Sequence, residues 1–452
     1  MIFRILDTLD GIFWSYAAFV LIMCFGAVFS YKIRFAQLTE FPKFCRIFYN
    51  SFKTRSAAIE RGVHPIRLFF ASAGGNIGIG NVVGIATAVC CGGPGAIFWV
   101  WIAGIIGSVI KYAEVFLGIK FREKSQDGSY KGGPMYFLKK AYGNSWIPGI
   151  VASLLCIYGV EIYQFSVITN TISSNWNIPR IGVIGVLLFL VFYAIKGGLK
   201  RLGKVCTIIL PIFMVSYCLM GLAILIFEWR SLPQLFSLIF SSAFTGHAAV
   251  GGFIGCSVMT TLRHGISRAA YSGDIGIGFD SVIQSESADC RPEVQARFSI
   301  VGIAIDNLIC TVSLIIVLAS GAWHGNFEGN TAIAIQSALS KYFPGINFFF
   351  PLFLFVTGYT TITAYFLVGQ RCAQYLYPSF GKKIYFIYGM IALPAFCFLS
   401  QDKTLIIMSC SGALLLIINL IGIFILRKEV AFPKVSPEEL RESNPVFDLE
   451  KL

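Results

Sequence analysis

Residues 72–84 read SAGGNIGIGNVVG, with five glycines, two asparagines and no charged side chain inside a long apolar stretch. Each glycine weakens a helix by about 1 kcal/mol relative to alanine, so this density of glycine predicts a helix that is interrupted. A dinucleotide-binding turn is excluded, because Val83 stands where the third glycine after Gly78-x-Gly80 is needed. The stretch therefore poses the question of what an interrupted helix does in this chain.

The composition of the chain places that stretch in a membrane. Of 452 residues, 56% are hydrophobic and 13% are charged, whereas soluble domains are about a quarter charged. Segments of about 20 apolar residues are long enough to cross a bilayer, and the first is interpreted as a retained span rather than a signal peptide. We predict eleven spans, at residues 12–31, 68–91, 95–119, 147–172, 181–195, 205–228, 240–262, 298–321, 347–369, 383–400 and 404–426.

The net charge is +13, and the basic residues are distributed unequally between the two sides of the membrane. Most Lys and Arg residues lie in alternate connections, at residues 32–67, 120–140, 196–204, 263–297 and 371–383, and in the tail 427–452. The positive-inside rule then places the amino terminus outside and the carboxyl terminus in the cytoplasm of a multi-pass cell-membrane protein. Basic residues are not interleaved with aromatics as on nucleic-acid surfaces, and the thirteen cysteines show no metal or redox spacing.

Within a membrane, the glycine stretch has two remaining interpretations. Gly74 and Gly78, like Gly80 and Gly84, are four residues apart, which is the spacing of a close helix-packing face. Local unwinding is the alternative, and irregular backbone at membrane depth is tolerated where it lines a cavity. Its freed carbonyls can hold a cation and its freed amides a carboxylate. We favour unwinding, since two asparagines and five glycines exceed what packing requires.

A second glycine run, at residues 246–255, suggests an internal repeat. Each run opens a block of five predicted spans, and an odd number of spans inverts the second block relative to the first. Glycine-interrupted spans in matching positions of inverted halves are typical of the binding site of a secondary transporter. The predicted organisation is an amino-terminal helix and basic loop (1–67), two five-span repeats (68–239 and 240–426) and a cytoplasmic tail (427–452).

Polar side chains on two other spans are candidates for the same site. The ninth span contains four threonines in one stretch of seven residues: Thr357, Thr360, Thr361 and Thr363. Their hydroxyls either bond to carbonyls of their own helix or ligate a hard cation such as sodium. On the fourth span, Glu161 and Gln164 are three residues apart and therefore share a helix face.

Six segments have a recognisable sequence pattern. The most specific is GGPGAIFWVWIAGIIG at 92–107, and the others are KYAEVFLGIKFR (111–122), GSYKGGPMYFLKKAYG (128–143), GISRAAYSGDIGIG (265–278), IDNLIC (305–310) and GQRCAQYLYP (369–378). In sequence and order these segments resemble the bacterial and archaeal sodium:alanine (glycine) symporter family, in which a methionine is usual in place of Val100. The resemblance runs from about residue 65 to 425.

The resemblance implies an all-α, leucine-transporter-type fold with a 5+5 inverted repeat, preceded here by one extra amino-terminal helix. It also implies sodium-driven uptake of alanine or glycine. Carried over by position, the unwound stretch is Gly78–Asn81, with Gly80 and Asn81 matching the family's Gly-Asn. Gln164 matches a glutamine that faces the substrate, and Thr360 and Thr361 match the hydroxyl pair expected at the sodium site.

Four positions depart from the family pattern. Ile79 stands where Thr or Ser is usual, and Asn76 where Arg is common. Tyr365 replaces a tryptophan of the substrate pocket, and Gly273-Asp274-Ile275 replaces Asn-Glu-Ala. These departures concern the identity of the substrate rather than the fold.

The residues and the resemblance together predict a binding site near the bilayer midplane. The substrate carboxylate is expected on the amides around Gly78–Asn81, and its ammonium on carbonyls near Gly251 and Gly252. Sodium is expected on carbonyls of residues 74–81 with Thr360 and Thr361. No organic cofactor or obligate protein partner is implied.

Buried charges leave alternatives open. Glu161 is a candidate for proton coupling, which would make the chain a proton-driven symporter, and a non-transporting sensor on the same fold is a further alternative. Asp274 and Arg268 are predicted on the cytoplasmic side of the seventh span, as a gate pair or as ordinary loop charges. Lys111 is expected to pair with Glu114 near a helix end, and the role of Asp306 is open. An enzyme is disfavoured because the sequence lacks motifs such as H-E-x-x-H or G-x-S-x-G.

Overall fold

The computed structural model describes residues 2–53, 63–125, 129–245, 258–288, 291–325, 331–432 and 434–435. Over these residues the chain is helical apart from one short antiparallel ribbon, formed by Glu123–Lys124 (β1) and Tyr130–Lys131 (β2). The second glycine run, with Gly251 and Gly252, lies outside the described residues, so its expected role stays a prediction.

The chain begins with a long apolar helix. The first helices are α1 (Ile2–Ile12), α2 (Phe19–Lys32), α3 (Ala36–Thr39) and α4 (Phe41–Lys53). A π-helical turn joins α1 to α2, so that Phe3–Lys32 forms one helix long enough to cross a membrane. The Trp14 indole N–H donates to Ser409 Oγ at 2.9 Å, which ties this helix to a helix near the other end of the chain.

The next helices contain two interruptions. They are α5 (Pro65–Asn76), α6 (Ala86–Gly92), α7 (Ala96–Lys120), α8 (Pro134–Tyr142), α9 (Trp146–Tyr158), α10 (Ile162–Trp176), α11 (Arg180–Ile195) and α12 (Gly198–Phe227). Helix α5 ends at Asn76, and the chain resumes at Gly80–Gly84 as a π-helical turn that leads into α6, with a bend of 46°. The glycine stretch is therefore a broken helix, as unwinding requires. The predicted span at 147–172 is found as Trp146–Trp176, which is long and apolar enough to cross a membrane, although Gly159–Glu161 separate α9 from α10 within it.

The last helices contain a third interruption. They are α13 (Leu232–Thr245), α14 (Val258–Gly273), α15 (Phe279–Gln284), α16 (Pro292–Ser320), α17 (Thr331–Ser340), α18 (Ile346–Leu376), α19 (Gly381–Cys397) and α20 (Gln401–Ile425). The prediction of a polar connection over 263–297 is wrong for its first two thirds, since residues 265–288 are buried. The physical reason is that charged side chains of this segment pair with other helices, Asp280 with Lys111 and Glu286 with Arg371.

The number of membrane spans agrees only in part with the prediction. Among the described residues, seven helical stretches are long and apolar enough to cross a membrane, with α1–α2 and α9–α10 each counted as one. The bent pair of α5 and α6 makes an eighth. Helices α11 and α13 are apolar but shorter. Eleven spans, the inverted 5+5 repeat and the four predicted sections of the chain therefore stay predictions.

A buried ion pair joins α7 to the interruption between α14 and α15. The Lys111 ammonium contacts Asp280 Oδ2 and also donates to the carbonyl of Gly273, and each side chain of the ion pair is 2% exposed. The expected pairing of Lys111 with Glu114 near a helix end is wrong. Both residues lie buried within α7, and the broken segment that crosses α7 supplies the carboxylate instead.

The first part of the carboxyl-terminal tail packs on the helices. The Tyr112 hydroxyl donates to the carbonyl of Ala431 at 2.9 Å, and Lys120 forms an ion pair with Glu429 at 2.8 Å. Residues 427–432 thus close one end of α7.

Gly75 controls how closely the first and third interruptions approach each other. A Cβ at Gly75 would overlap the ring of Phe279, which is the first residue of α15. We expect Gly75→Ala to destabilise the protein by about 1–3 kcal/mol through overpacking, seen as a lower midpoint of thermal unfolding in detergent. Gly185→Ala is the control, because a Cβ at Gly185 in α11 meets nothing within 4 Å. Equal midpoints for the two variants would contradict the close approach.

The ion pair between Lys111 and Asp280 yields a second stability prediction. Lys111→Met leaves the Asp280 carboxylate without its cation, and removing one partner of a buried pair costs about 3–5 kcal/mol. Adding Asp280→Asn removes the uncompensated charge and keeps an oxygen acceptor, so the double variant should regain most of the lost thermal stability. A double variant that unfolds at the same temperature as the single variant would argue against the pairing.

Candidate functional site

The interruption between α5 and α6 frees two backbone amides that are held by side-chain oxygens. The Gly78 N–H donates to Asn81 Oδ1 at 3.1 Å, and the Ile79 N–H donates to Gln164 Oε1 at 3.3 Å. Since buried amides must be paired, an oxygen acceptor is required at this point. A carboxylate is a stronger acceptor of the same geometry, so the arrangement is suited to an acidic group of a ligand.

Asn81 also anchors the interruption to α16. Its side-chain amide donates to Asp306 Oδ1, and its backbone carbonyl accepts from the Ser313 hydroxyl at 2.6 Å. The second oxygen of Asp306 accepts from the Ser272 hydroxyl at 3.2 Å. Asp306 therefore acts as a hydrogen-bond acceptor between three helical segments.

The threonines of α18 lie against the same interruption. The Thr361 hydroxyl lies 3.2 Å from two carbonyl oxygens that can accept from it, those of Gly74 in α5 and of Thr357 in its own helix. The Thr360 hydroxyl donates to the carbonyl of Thr357 at 2.8 Å. Bonding within α18 thus occurs as the alternative interpretation predicts, but Thr361 also reaches the interruption. Hydroxyl and carbonyl oxygens are ligands that sodium accepts.

The interruption between α14 and α15 is a second irregular segment in the core. Asp274 adopts a left-handed conformation with φ of 50°, and its carboxylate accepts from the Asp280 N–H at 2.9 Å. The side-chain amide of Asn419 donates to the carbonyls of Gly276 and Ile277, at 3.1 and 2.8 Å. The polar backbone of this segment is therefore satisfied by side chains of the bundle.

Asp280 brings the two irregular segments together. The Asn76 side-chain amide lies 3.2 Å from both Asp280 carboxylate oxygens, and the Ser72 hydroxyl donates to one of them. A small cavity lies between these groups and is also lined by Lys111, Gly273 and Asp306. Both interruptions thus meet in the centre of the molecule, beside α7 and α16.

Helix α10 faces the first interruption with two polar side chains. Gln164 reaches the Ile79 amide, and a Cβ added at Gly78 would come within 2.9 Å of Gln164 Oε1. One turn earlier, Glu161 accepts a long hydrogen bond of 3.4 Å from the Tyr271 hydroxyl. The ring of Tyr271 in turn lies beside Gly80, at 3.3 Å from the position of an added Cβ.

Aromatic rings surround this part of the core. Tyr365 stacks on Phe279, with ring centroids 3.8 Å apart and planes 15° apart. The ring of Tyr158 contacts Tyr365 and Tyr271 edge-on, at centroid distances of 5.6 and 6.0 Å. The walls next to the interruption are therefore bulky and amphipathic.

Most residues singled out by the sequence lie at these contacts. The set around the first interruption is Asn76, Gly78, Ile79, Gly80, Asn81, Glu161, Gln164, Thr360, Thr361 and Tyr365. Asp274 is not a loop charge but a buried residue of the second interruption. Arg268 is buried as well, with its guanidinium 6.0 Å from the ring of Tyr271, and it forms no ion pair with Asp274. The expected gate pair is therefore absent from this conformation.

The sequence analysis missed several contributors. Five residues at or beside the irregular segments were not singled out from the sequence: Ser72, Tyr158, Tyr271, Phe279 and Asp280. A signal for the second interruption was present, because GDIGIG at 273–278 has three glycines in six residues. Phe279 and Asp280 are the two residues that come directly after this glycine-rich segment, so that signal would also have identified them.

Comparisons with known proteins fit this architecture. The model of the sodium:alanine symporter family matches residues 1–436. The uncharacterized transporter YflA of Bacillus subtilis is 34% identical over 73% of this chain and 71% of that relative. The sodium/alanine symporter AgcS of Methanococcus maripaludis is 27% identical over 97% of this chain and 98% of its own length. The probable sodium/glutamine symporter GlnT of B. subtilis is 28% identical over 98% of this chain and 93% of its own length.

Two solved structures share the fold. MhsT in complex with L-phenylalanine has a TM-score of 0.55 at 14% identity, covering 79% of this chain and 89% of its own. Mhp1, a nucleobase-cation-symport-1 family transporter, has a TM-score of 0.51 at 12% identity, covering 84% and 96%. These likenesses agree with the leucine-transporter-type fold. The family model and the relatives are those of membrane transporters rather than enzymes. The chain belongs to the sodium:alanine symporter family.

Proposed function

We propose that the chain is a sodium-coupled symporter that carries a small neutral amino acid, alanine or glycine, into the cell. The observation that carries the proposal is the pair of freed amides at Gly78 and Ile79, each held by a side-chain oxygen. In the loaded state the substrate carboxylate replaces these oxygens, and Gln164 turns to bind the ligand instead of the backbone.

The sodium ion is proposed to bind where α18 meets α5. The oxygens available there are the carbonyls of Gly74 and Thr357 and the hydroxyls of Thr360 and Thr361. A single sodium ion between the two helices would hold them together, so its binding favours one arrangement of the interruption. Coupling then follows from population shift, because the ion and the substrate stabilise the same conformation.

The size of the substrate is inferred from the aromatic walls. Tyr158, Tyr271 and Tyr365 are all buried next to the interruption, and Tyr365 is fixed by its stacking on Phe279. A small side chain fits such a closed space more readily than a large one. The relatives AgcS, a sodium/alanine symporter, and GlnT, a probable sodium/glutamine symporter, support a neutral amino acid as the substrate class.

Transport in proteoliposomes tests the proposal. We expect labelled alanine or glycine to accumulate when sodium is higher outside, because the inward sodium gradient supplies the driving force. Accumulation should disappear when sodium is replaced by potassium or when an ionophore abolishes the gradient. Equal uptake with and without sodium would reject the coupling, and binding without flux would favour a sensor.

Thr361→Ala tests the sodium site. Losing one hydroxyl ligand should raise the sodium concentration for half-maximal uptake by roughly tenfold, which corresponds to about 1.4 kcal/mol. Thr363→Ala is the matched control, because the Thr363 hydroxyl donates only within α18, to the carbonyl of Tyr359 at 2.8 Å. Identical sodium activation in both variants would move the ion elsewhere.

A further inference from the structure

Glu161 has an unusual backbone at a functional position. It lies between α9 and α10 with φ of 54° and ψ of 47°, a left-handed conformation that side-chain-bearing residues rarely adopt. Such conformations persist where the surrounding structure enforces them, and they cluster at binding sites. The conformation holds the Glu161 side chain 1% exposed, in the core of the protein.

The Glu161 carboxyl has no cationic partner among the described residues. No Lys, Arg or His nitrogen of the described chain lies within 4.0 Å of it. Its hydrogen-bond partners are the Gln164 side chain and the Tyr271 hydroxyl, the latter at 3.4 Å. A buried carboxylate without a cation is strongly disfavoured, so the group must either take up a proton or receive a cation from outside the chain.

The position of Glu161 relative to the freed amides suggests which cation this is. Gln164 accepts from the Ile79 amide and also hydrogen-bonds the Glu161 side chain. Tyr271 donates to Glu161, and its ring lies beside Gly80. A ligand whose carboxylate sits on the amides of Gly78 and Ile79 therefore carries its next substituents towards Glu161. In an amino acid the ammonium is bonded to the carbon next to the carboxylate.

Tyr158 supplies an independent indication of a missing ligand. Its side chain is fully buried, and its hydroxyl has no hydrogen-bond partner in the described part of the chain. Its ring contacts Tyr271, the residue whose hydroxyl binds Glu161. Because buried hydroxyls are normally paired, a polar group is required beside these two tyrosines.

We propose that the Glu161 carboxylate receives the α-ammonium group of the substrate, and that it carries a proton whenever the site is empty. This inference rests on the proposed amino-acid transport and names the group that recognises the substrate amine. On binding, the carboxylic acid releases its proton to the solution that the site faces, and the ammonium takes its place. The ionisable groups that face Glu161 are the hydroxyls of Tyr158, Tyr271, Tyr365 and Tyr385. Behind these tyrosines, Arg268 and Asp274 lie near Tyr158, and Tyr163 lies near Tyr271.

The charge balance explains why the exchange suits a carrier. The loaded site contains one sodium ion, one zwitterion and one carboxylate, which sum to zero. The empty site contains a neutral carboxylic acid. Neither state carries net charge through the membrane, and each cycle brings sodium and an amino acid in while one proton leaves. Proton-driven symport through Glu161 predicts the opposite direction of proton movement.

Proton release on binding tests the inference. Purified protein in weakly buffered sodium solution with a pH indicator dye is mixed with alanine at neutral pH. We expect the release of up to about one proton per alanine bound, because binding and deprotonation are linked. Lactate, which has a hydroxyl in place of the ammonium, should neither bind nor release protons. Proton uptake, or alanine binding without any proton change, would overturn the inference and leave sodium-coupled transport intact.

Glu161→Gln isolates the residue. We expect roughly ten- to hundredfold weaker alanine binding, as for the loss of a charge-assisted hydrogen bond, and no proton release. Sodium-induced thermal stabilisation should remain, which shows that the variant is folded. Glu228→Gln is the control, since Glu228 binds Lys341 and Tyr342 at 3.1 and 2.6 Å, outside the membrane-spanning helices. Unchanged affinity and proton release in Glu161→Gln would reject the assignment.

The inference and the proposed function fail in distinguishable ways. If alanine and glycine do not bind, the same proton measurement is made with the other proteinogenic amino acids. Binding of one of them with proton release supports the role of Glu161 and corrects the substrate. Failure of every amino acid to bind overturns both.

Discussion

The constraint on which the structure depends is the absence of water around backbone groups inside a membrane. A helix can be interrupted there only if its freed amides and carbonyls find partners in the protein. The chain meets this condition with side chains, some local and some from distant helices. Asn81 of the first segment and Gln164 of α10 hold the amides of that segment, and Asn419 of α20 holds carbonyls of the second. These replaceable contacts are what a substrate and an ion can exchange for their own.

Electrostatics gives the centre of the molecule its second property. The buried carboxylates of Asp274, Asp280 and Asp306 are bound by donors from several helices, and Lys111 contributes the ammonium that compensates Asp280. Such groups hold the two interruptions in register with α7 and α16. Glu161 differs from Asp280, because no cation pairs with it among the described residues and its hydrogen-bond partners are Tyr271 and Gln164. On this contrast rests our proposal that Glu161 recognises the substrate, whereas Asp280 belongs to the scaffold.

Much of this site could be predicted from the sequence, and the failures have physical causes. Glycine density identified the break after Asn76, since glycine is the residue that weakens a helix most strongly apart from proline. The second break is not predicted, because GDIGIG at 273–278 lies in a stretch whose charged residues indicate a polar connection, whereas the glycine run at 246–255 lies in a predicted span. The break at Gly159–Glu161 has a single glycine as its only composition signal, and tertiary contacts impose the left-handed conformation of Glu161. Side-chain partners such as Asp280 and Tyr271 depend on how helices cross, which periodicity does not encode.

The most direct test of the account is an experimental structure of the protein with sodium and alanine bound. The account predicts that the alanine carboxylate lies within hydrogen-bonding distance of the Gly78 and Ile79 amides. Gln164 should have left the Ile79 amide, and an ion should lie between Gly74 and Thr361. A continuous helix through residues 74–84, with alanine bound elsewhere, would contradict it.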